Sequence, residues 1–241
     1  MTRAEQIAAN LGRVQERVDT ALVAARRSSL GMCLIAVSKT VPAEDIGAAL
    51  AAGQRDFAES YGQEFRDKHK AVASLVEGTK GLPEPRWHFI GPLQTNKVKY
   101  VVGKVALVHS AGSAEVLAEL ERRAKALGVM QDCLVQVNVA GEMQKSGIAP
   151  ADLPATLDSF ALFSHLRCTG LMAIPPYDED PELSRPHFAA LRRLRDQHRP
   201  GGRPNVVLAE LSMGMSHDLE VAVAEGATMV RVGTAVFGAR S

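Results

Sequence analysis

Met229-Val230-Arg231-Val232-Gly233-Thr234-Ala235, residues 229–235, passes from a short apolar run into a glycine and a hydroxyl residue. A strand that ends in a small polar turn and leads into a helix is the building unit of parallel α/β sheets. Runs of the same kind precede it at Leu34–Val37, Asp56–Ala58, Trp87–Ile90, Val105–His109, Leu134–Val139, Leu166–Met172 and Val206–Leu208. Helical stretches separate them, for example Ala43–Ala52, Ala114–Leu127 and His187–His198, with Pro42, Ser113 and Pro150 as caps or first-turn prolines. Before the first strand, Ile7, Leu11, Val14, Val18 and Leu22 recur at helical spacing among Arg, Glu and Gln, which predicts one long amphipathic helix. Eight strands alternating with helices suit a closed (β/α)8 barrel or a doubly wound open sheet, and periodicity alone does not separate the two. About 210 residues for eight units is compact beside a usual barrel of ~250. No fixed repeat, low-complexity tract or linker interrupts them, and the Gly- and Pro-bearing stretches at 78–85 and 198–204 read as internal loops. We therefore expect an α/β protein, a single (β/α)8 TIM barrel with an extra N-terminal helix, as one domain over residues 1–241.

The 241 residues hold 28 Lys and Arg against 27 Asp and Glu, a net charge of +1, and are 46% apolar and 23% charged. Such a chain can build a sizeable core and is not of the disordered class. It offers no bulk field for nucleic acid or an anionic membrane. Cys33, Cys133 and Cys168 form no CxxC pair, so they read as small buried hydrophobes in a reducing compartment. The opening MTRAEQIAAN has no apolar signal stretch, and no run approaches the ~20 residues that span a bilayer. A cytoplasmic protein is expected.

In parallel α/β folds the working residues lie where strands end and loops begin. The first strand ends Ala36-Val37-Ser38-Lys39-Thr40, which puts a lysine at the rim of the core. It can be a salt-bridged surface cation, a phosphate clamp, or a desolvated amine that forms a Schiff base. At the other end of the chain, Gly233-Thr234 follows the last strand, and Leu211-Ser212-Met213-Gly214-Met215-Ser216 follows the seventh. Two small, hydroxyl-bearing junctions at consecutive strand ends suit a phosphate cup. Helix capping by Ser216 and Thr234 with ordinary turn glycines is the competing account. Barrel closure would bring Lys39 beside that cup. Pyridoxal 5'-phosphate needs such a pair, and a class I aldolase acting on a sugar phosphate needs much the same.

Five stretches carry a resemblance: AVSKT at 36–40, WHFIGPLQTNK at 87–97, GLMAIP at 170–175, LSMGMSHD at 211–218 and VRVGTAVFG at 230–238. In order along nearly the whole chain, they resemble the pyridoxal phosphate homeostasis proteins, single-domain relatives of the alanine racemase barrel. The resemblance implies pyridoxal 5'-phosphate held as a Schiff base on Lys39. It also implies that Ser212, Gly233 and Thr234 bind the phosphate, with Arg231 facing the pyridine nitrogen. A guanidinium can only donate hydrogen bonds, so it disfavours a protonated ring and leaves a poorer electron sink. The implied function is buffering or delivery of the cofactor by a non-enzymatic, monomeric protein, with PLP-dependent apoenzymes as recipients. No nucleic acid or membrane partner and no metal are expected.

The family pattern Phe-Gly-Glu-Asn-Tyr becomes Phe57-Ala58-Glu59-Ser60-Tyr61, so a contact carried over to Ser60 is in doubt. His88 lines the site or is a satisfied core histidine, and Asn96 lies in the same motif; Lys145, which matches a lysine of the family pattern, contacts the cofactor transiently or sits on a solvated loop, the reading we favour. Trp87 reads as packing. Racemisation needs a second acid/base group opposite Lys39. In full-length racemases a tyrosine from a further domain supplies it, and this chain ends at Ser241, directly after the last barrel helix. Only Tyr61, Tyr100 and Tyr177 remain as candidates. A PLP-dependent amino-acid racemase or lyase is thus the second reading, and a cofactor-free aldolase the third.

Overall fold

The computed structural model describes residues 1–141 and 146–238. Eight parallel strands close on themselves in chain order. They are β1 (Cys33–Val37), β2 (Asp56–Glu59), β3 (Arg86–Phe89), β4 (Leu107–Ala111), β5 (Gln131–Gln136), β6 (Leu166–Met172), β7 (Val206–Ser212) and β8 (Met229–Val232). The expected barrel is formed. β8 returns to β1 with Ile35 opposite Arg231 and Ala36 opposite Val232, so the two ends of the sequence share one ladder.

The helices wrap this barrel: α1 (Arg3–Ala24), α2 (Ala43–Ala51), α3 (Gly62–Gly78), α4 (Val98–Val101), α5 (Ala114–Leu127), α6 (Leu153–Ser159), α7 (Arg185–His198), α8 (Leu219–Ala224) and α9 (Thr234–Phe237). α1 starts at a capping box in which the Thr2 hydroxyl accepts from Glu5 N and the Glu5 carboxylate accepts from Thr2 N. All five apolar residues that predicted it are buried, and the helix packs on α2, α8 and α9. Ser113 caps α5 through Val116 N, as its position predicts, and Gly128 ends that helix at φ +66°. Among the described residues no helix is long and apolar enough to cross a membrane.

Most of the apolar core lies between strands and helices, in one cluster that includes Phe57, Phe65, Trp87, Leu120, Phe160 and Phe188. Two small groups pack apart from it: Ile35, Val37 and Ala58, and Leu107, Leu134 and Met172, with Met229 touching both. Three strands differ from their expected bounds by two residues or more. β4 lies two residues later than the apolar run suggests, because Val105 ends the turn after α4 through its amide to Val101 O. β5 begins at polar Gln131, whose side chain is buried and bonded to Val105 O, while Val137 only bridges to Ile148. β7 continues to Ser212 past a bulge in which Leu208 takes φ +49°.

Candidate cofactor site at the C-terminal mouth

Lys39 follows β1 and continues the parity of Cys33, Ile35 and Val37, placing it half-buried at the C-terminal mouth of the barrel. The residues on either side of it are clamped. The Ser38 hydroxyl donates to Glu59 Oε1 at 2.7 Å, and Thr40 N donates to Glu64 Oε1 at 2.6 Å. Lys68 Nζ ties both carboxylates together, at 2.7 Å from Glu59 and 2.6 Å from Glu64, and donates to Ser38 O at 2.6 Å. Thr40 is held at φ +64°, a strained conformation for a β-branched residue. Burial raises the Glu59 carboxyl above the usual carboxylate range, against the pull of Lys68, and Glu59 Oε2 is buried without a hydrogen-bond partner.

Arg231 projects from β8 and is only 2% exposed. Its Nη1 donates to Ser212 Oγ at 2.6 Å and its Nη2 to Ala173 O at 3.1 Å. Burial pulls the guanidinium down to about 10, with Asp218 opposing, so it stays cationic at neutral pH. Ser212 Oγ also meets His109 Nδ1 at 2.8 Å; His109 Nε2 meets His88 Nδ1 at 2.9 Å, and His88 Nε2 meets Asp56 Oδ1 at 2.9 Å. A polar column therefore crosses the barrel interior.

The loops after β7 and β8 face each other through their hydroxyls, with Thr234 Oγ1 donating to Ser216 Oγ at 3.3 Å. Neither hydroxyl caps a helix: α8 has Asp218 at its N-cap and α9 has Gly233. The capping account of this pair is thereby removed. Gly214 takes φ +92°, and a Cβ there would lie 2.5 Å from Ala222 Cβ, so the turn requires glycine. Asp218 pins the loop by accepting from Met215 N at 2.7 Å. α1 holds the other side, with Asn10 Nδ2 donating to Val236 O and Arg3 Nη2 to Phe237 O.

The alanine racemase N-terminal domain family matches residues 4–241. The pyridoxal phosphate homeostasis protein of Aquifex aeolicus is 44% identical over 230 residues, which cover 95% of this chain and 96% of that protein. The chain belongs to the pyridoxal phosphate homeostasis protein family. Among solved structures, PipY of Synechococcus elongatus with PLP bound has a TM-score of 0.82 at 35% identity, covering 97% of this chain and 100% of PipY. A Bifidobacterium adolescentis protein of unknown function has a TM-score of 0.90 at 34% identity, covering 98% and 96%.

Of the five residues the family resemblance singles out, Lys39, Arg231, Gly233 and Thr234 lie on the adjacent β1 and β8 or on the turns that follow them. Ser212 is fully buried, and its hydroxyl is taken up by Arg231 and His109. The hydroxyl that meets Thr234 is that of Ser216, which the strand-end reading placed in the seventh junction and weighed as a cap as well. Glu64 and Lys68 carried no motif, and Glu59 stood in the family pattern at 57–61 with no role assigned; these are the residues that sequence reasoning missed. His88 is a satisfied interior histidine, Trp87 packs against Phe57 and Phe65, and Asn96 is exposed. Gly91 admits no Cβ, which would come within 1.9 Å of Ser60 O. Lys145 lies outside the described residues. The three cysteines are free, as expected, and burial pushes the Cys168 thiol up to about 12.

Proposed function

We propose that this protein holds pyridoxal 5'-phosphate at the C-terminal mouth and serves homeostasis of that cofactor, buffering it or passing it to apoenzymes. The observation that carries this reading is the pairing of β1 with β8, which brings the Lys39 turn beside buried Arg231 and next to the Ser216–Thr234 hydroxyl pair on the loops after β7 and β8. The donor set fits the group. Arg231 can only donate, which matches an unprotonated pyridine nitrogen. The Ser216 and Thr234 hydroxyls with the glycine turns match a phosphate. Lys39 supplies the amine. That a relative, PipY, was solved with PLP bound supports PLP as the ligand.

When bound, the cofactor supplies an aldehyde that captures amines and a ring that can draw electrons from them. Lys39 Nζ would take that aldehyde, with Ser38 and Thr40 fixing the turn that aims it. Arg231, anchored on Ser212 and Ala173 O, would orient the ring and keep a proton off its nitrogen. Ser216 and Thr234 would hold the phosphate.

This arrangement favours keeping the cofactor over activating an amino acid. A racemase needs a second acid/base group opposed to Lys39. Tyr61 and Tyr177 are 56% and 75% exposed, and Tyr177 lies against the His217 ring.

The protein mixed with PLP should show a visible absorbance band that borohydride bleaches and that Lys39→Ala lacks. A band that survives Lys39→Ala overturns the assignment. Ser216→Ala and Thr234→Ala should weaken retention of PLP but leave capture of phosphate-free pyridoxal unchanged. Fast loss of α-deuterium from an amino acid, dependent on Tyr61 or Tyr177, would replace the carrier reading with a racemase.

A further inference from the structure

The polar column joins the cofactor mouth to the opposite end of the barrel. It runs from the C-terminal ends of β7 and β8, through His109 and His88, to Asp56 at the first position of β2. There Arg86 pairs with the Asp56 carboxylate. Burial pushes that carboxyl up, but the hydrogen bonds from His88 and Arg86 outweigh it and leave it below its ordinary value. His88 also lines a cavity of about 330 Å³ at the N-terminal mouth, shared with Cys33, Arg86, Asp132 and Glu210. Cys33, Asp56 and His88 bring ligand-type atoms within 4.8 Å of one another. Arg86 already supplies the positive charge that a cation would bring there.

With one hydrogen on each imidazole, the Asp56 end fixes the direction of the column. Arg231 only donates, and an ionised Asp56 only accepts. Each group between them then passes one hydrogen on: Ser212 Oγ–H to His109 Nδ1, His109 Nε2–H to His88 Nδ1, and His88 Nε2–H to Asp56. In this arrangement both rings are Nε2–H tautomers, and the Ser212 hydroxyl is turned away from the mouth.

We propose that His109 and His88 are positioning residues for the cofactor site, and that one proton taken up by the column turns the Ser212 hydroxyl toward the mouth. The inference rests on the reading that Ser212 and Arg231 border bound PLP. The hydrogens balance as follows. The Ser212 hydrogen crosses to His109 Nδ1, the His109 Nε2 hydrogen crosses to His88 Nδ1, and the incoming proton takes Ser212 Oγ. The positive charge ends on His88, beside Asp56 and among Arg86, Cys33, Asp132 and Glu210. His109 stays neutral in both states and changes only its tautomer. Burial, His88 and Arg231 all oppose a charge on it. Ser212 then accepts from both Arg231 and His109, and its own hydrogen is free to donate to an oxygen of the bound cofactor.

Nitrogen-15 imidazole spectra of the full chain without cofactor test the column directly. His109 should pass from the Nε2–H to the Nδ1–H tautomer on acidification, with the midpoint at which His88 becomes an imidazolium. A His109 that keeps one tautomer, or is itself protonated, overturns the proposal. With PLP, retention should tighten on the order of five- to tenfold through the same midpoint, the worth of one hydrogen bond. That step should vanish in His88→Gln and in Ser212→Ala, and its survival in either also overturns the proposal. If those variants do not fold, the tautomer spectra of the unsubstituted protein decide. Absence of any Lys39-dependent band would instead defeat the proposed function, and the spectra would still judge the column.

Discussion

Lys68 Nζ stands among two carboxylates and a carbonyl, and one of those carboxylates, Glu59, is wholly buried. Removing the ammonium strands a buried charge, so Lys68→Met should cost about 3–5 kcal/mol. The pH dependence follows from the raised Glu59 carboxyl. A carboxyl raised by folding contributes stability below its ordinary 4.5 and loses it as pH rises through the folded value. Without Lys68 that loss should deepen, so the gap between variant and parent should widen from acid to neutral pH in urea denaturation. A gap that stays constant would show that Glu59 does not answer to Lys68. Such pairings were not legible in the sequence, because Lys68 lies on a helix whose spacing marks only which residues are covered. Lys39 was legible because a cation at the end of an apolar strand is conspicuous, whereas Arg231 was singled out only through the family resemblance. Ser216 stayed open between phosphate cup and helix cap, because a hydroxyl before a helix is usually a cap.

Between elements, the weakest match of pattern to structure is the β6–β7 pair. Cys168 faces Val206 but Gly170 faces Glu210, so β7 carries extra residues there and Leu208 bends to positive φ. The sequence showed apolar Val206–Leu208 and then lost the strand at Ala209 and Glu210, since a bulge interrupts the alternation by which strands are read. Gly170 is where the two backbones approach: an added Cβ would fall 2.1 Å from Glu210 O. Gly170→Ala should therefore destabilise by about 1–3 kcal/mol and speed amide exchange in β7. Unchanged stability would mean that the bulge tolerates the methyl group. By contrast α1 was read correctly at all five apolar positions, because a long solvent-facing helix displays its period without interruption.

At the scale of the molecule, the barrel and its leading helix were legible in outline, since eight strand runs alternating with helices in a compact chain leave few arrangements. Periodicity alone did not separate a closed barrel from an open sheet, and the contacts between residues distant in sequence came only with closure. One prediction belongs here. A ligand that binds only the folded barrel stabilises it by about 2.7 kcal/mol at a hundredfold excess over Kd. For a chain of this size that should raise Tm by roughly 5–10 °C. PLP should produce such a rise in the unsubstituted protein, while in Lys39→Ala it should shrink to what reversible contacts provide. An equal rise in both would mean that the stabilising contacts exclude Lys39.

The interior column has one more consequence, for how the barrel is assembled. A strand that slid by two residues would still turn the same faces inward, so burial of apolar side chains alone rejects such a slip only weakly. With the column in place the slip is expensive: the imidazole nitrogens would lose each other as partners, at about 1–3 kcal/mol for each dry, unpaired atom. His88, His109, Ser212 and Arg231 come from four different strands. Their hydrogen bonds close only when all four stand at the right height, so the column acts as a gauge of the barrel's shear.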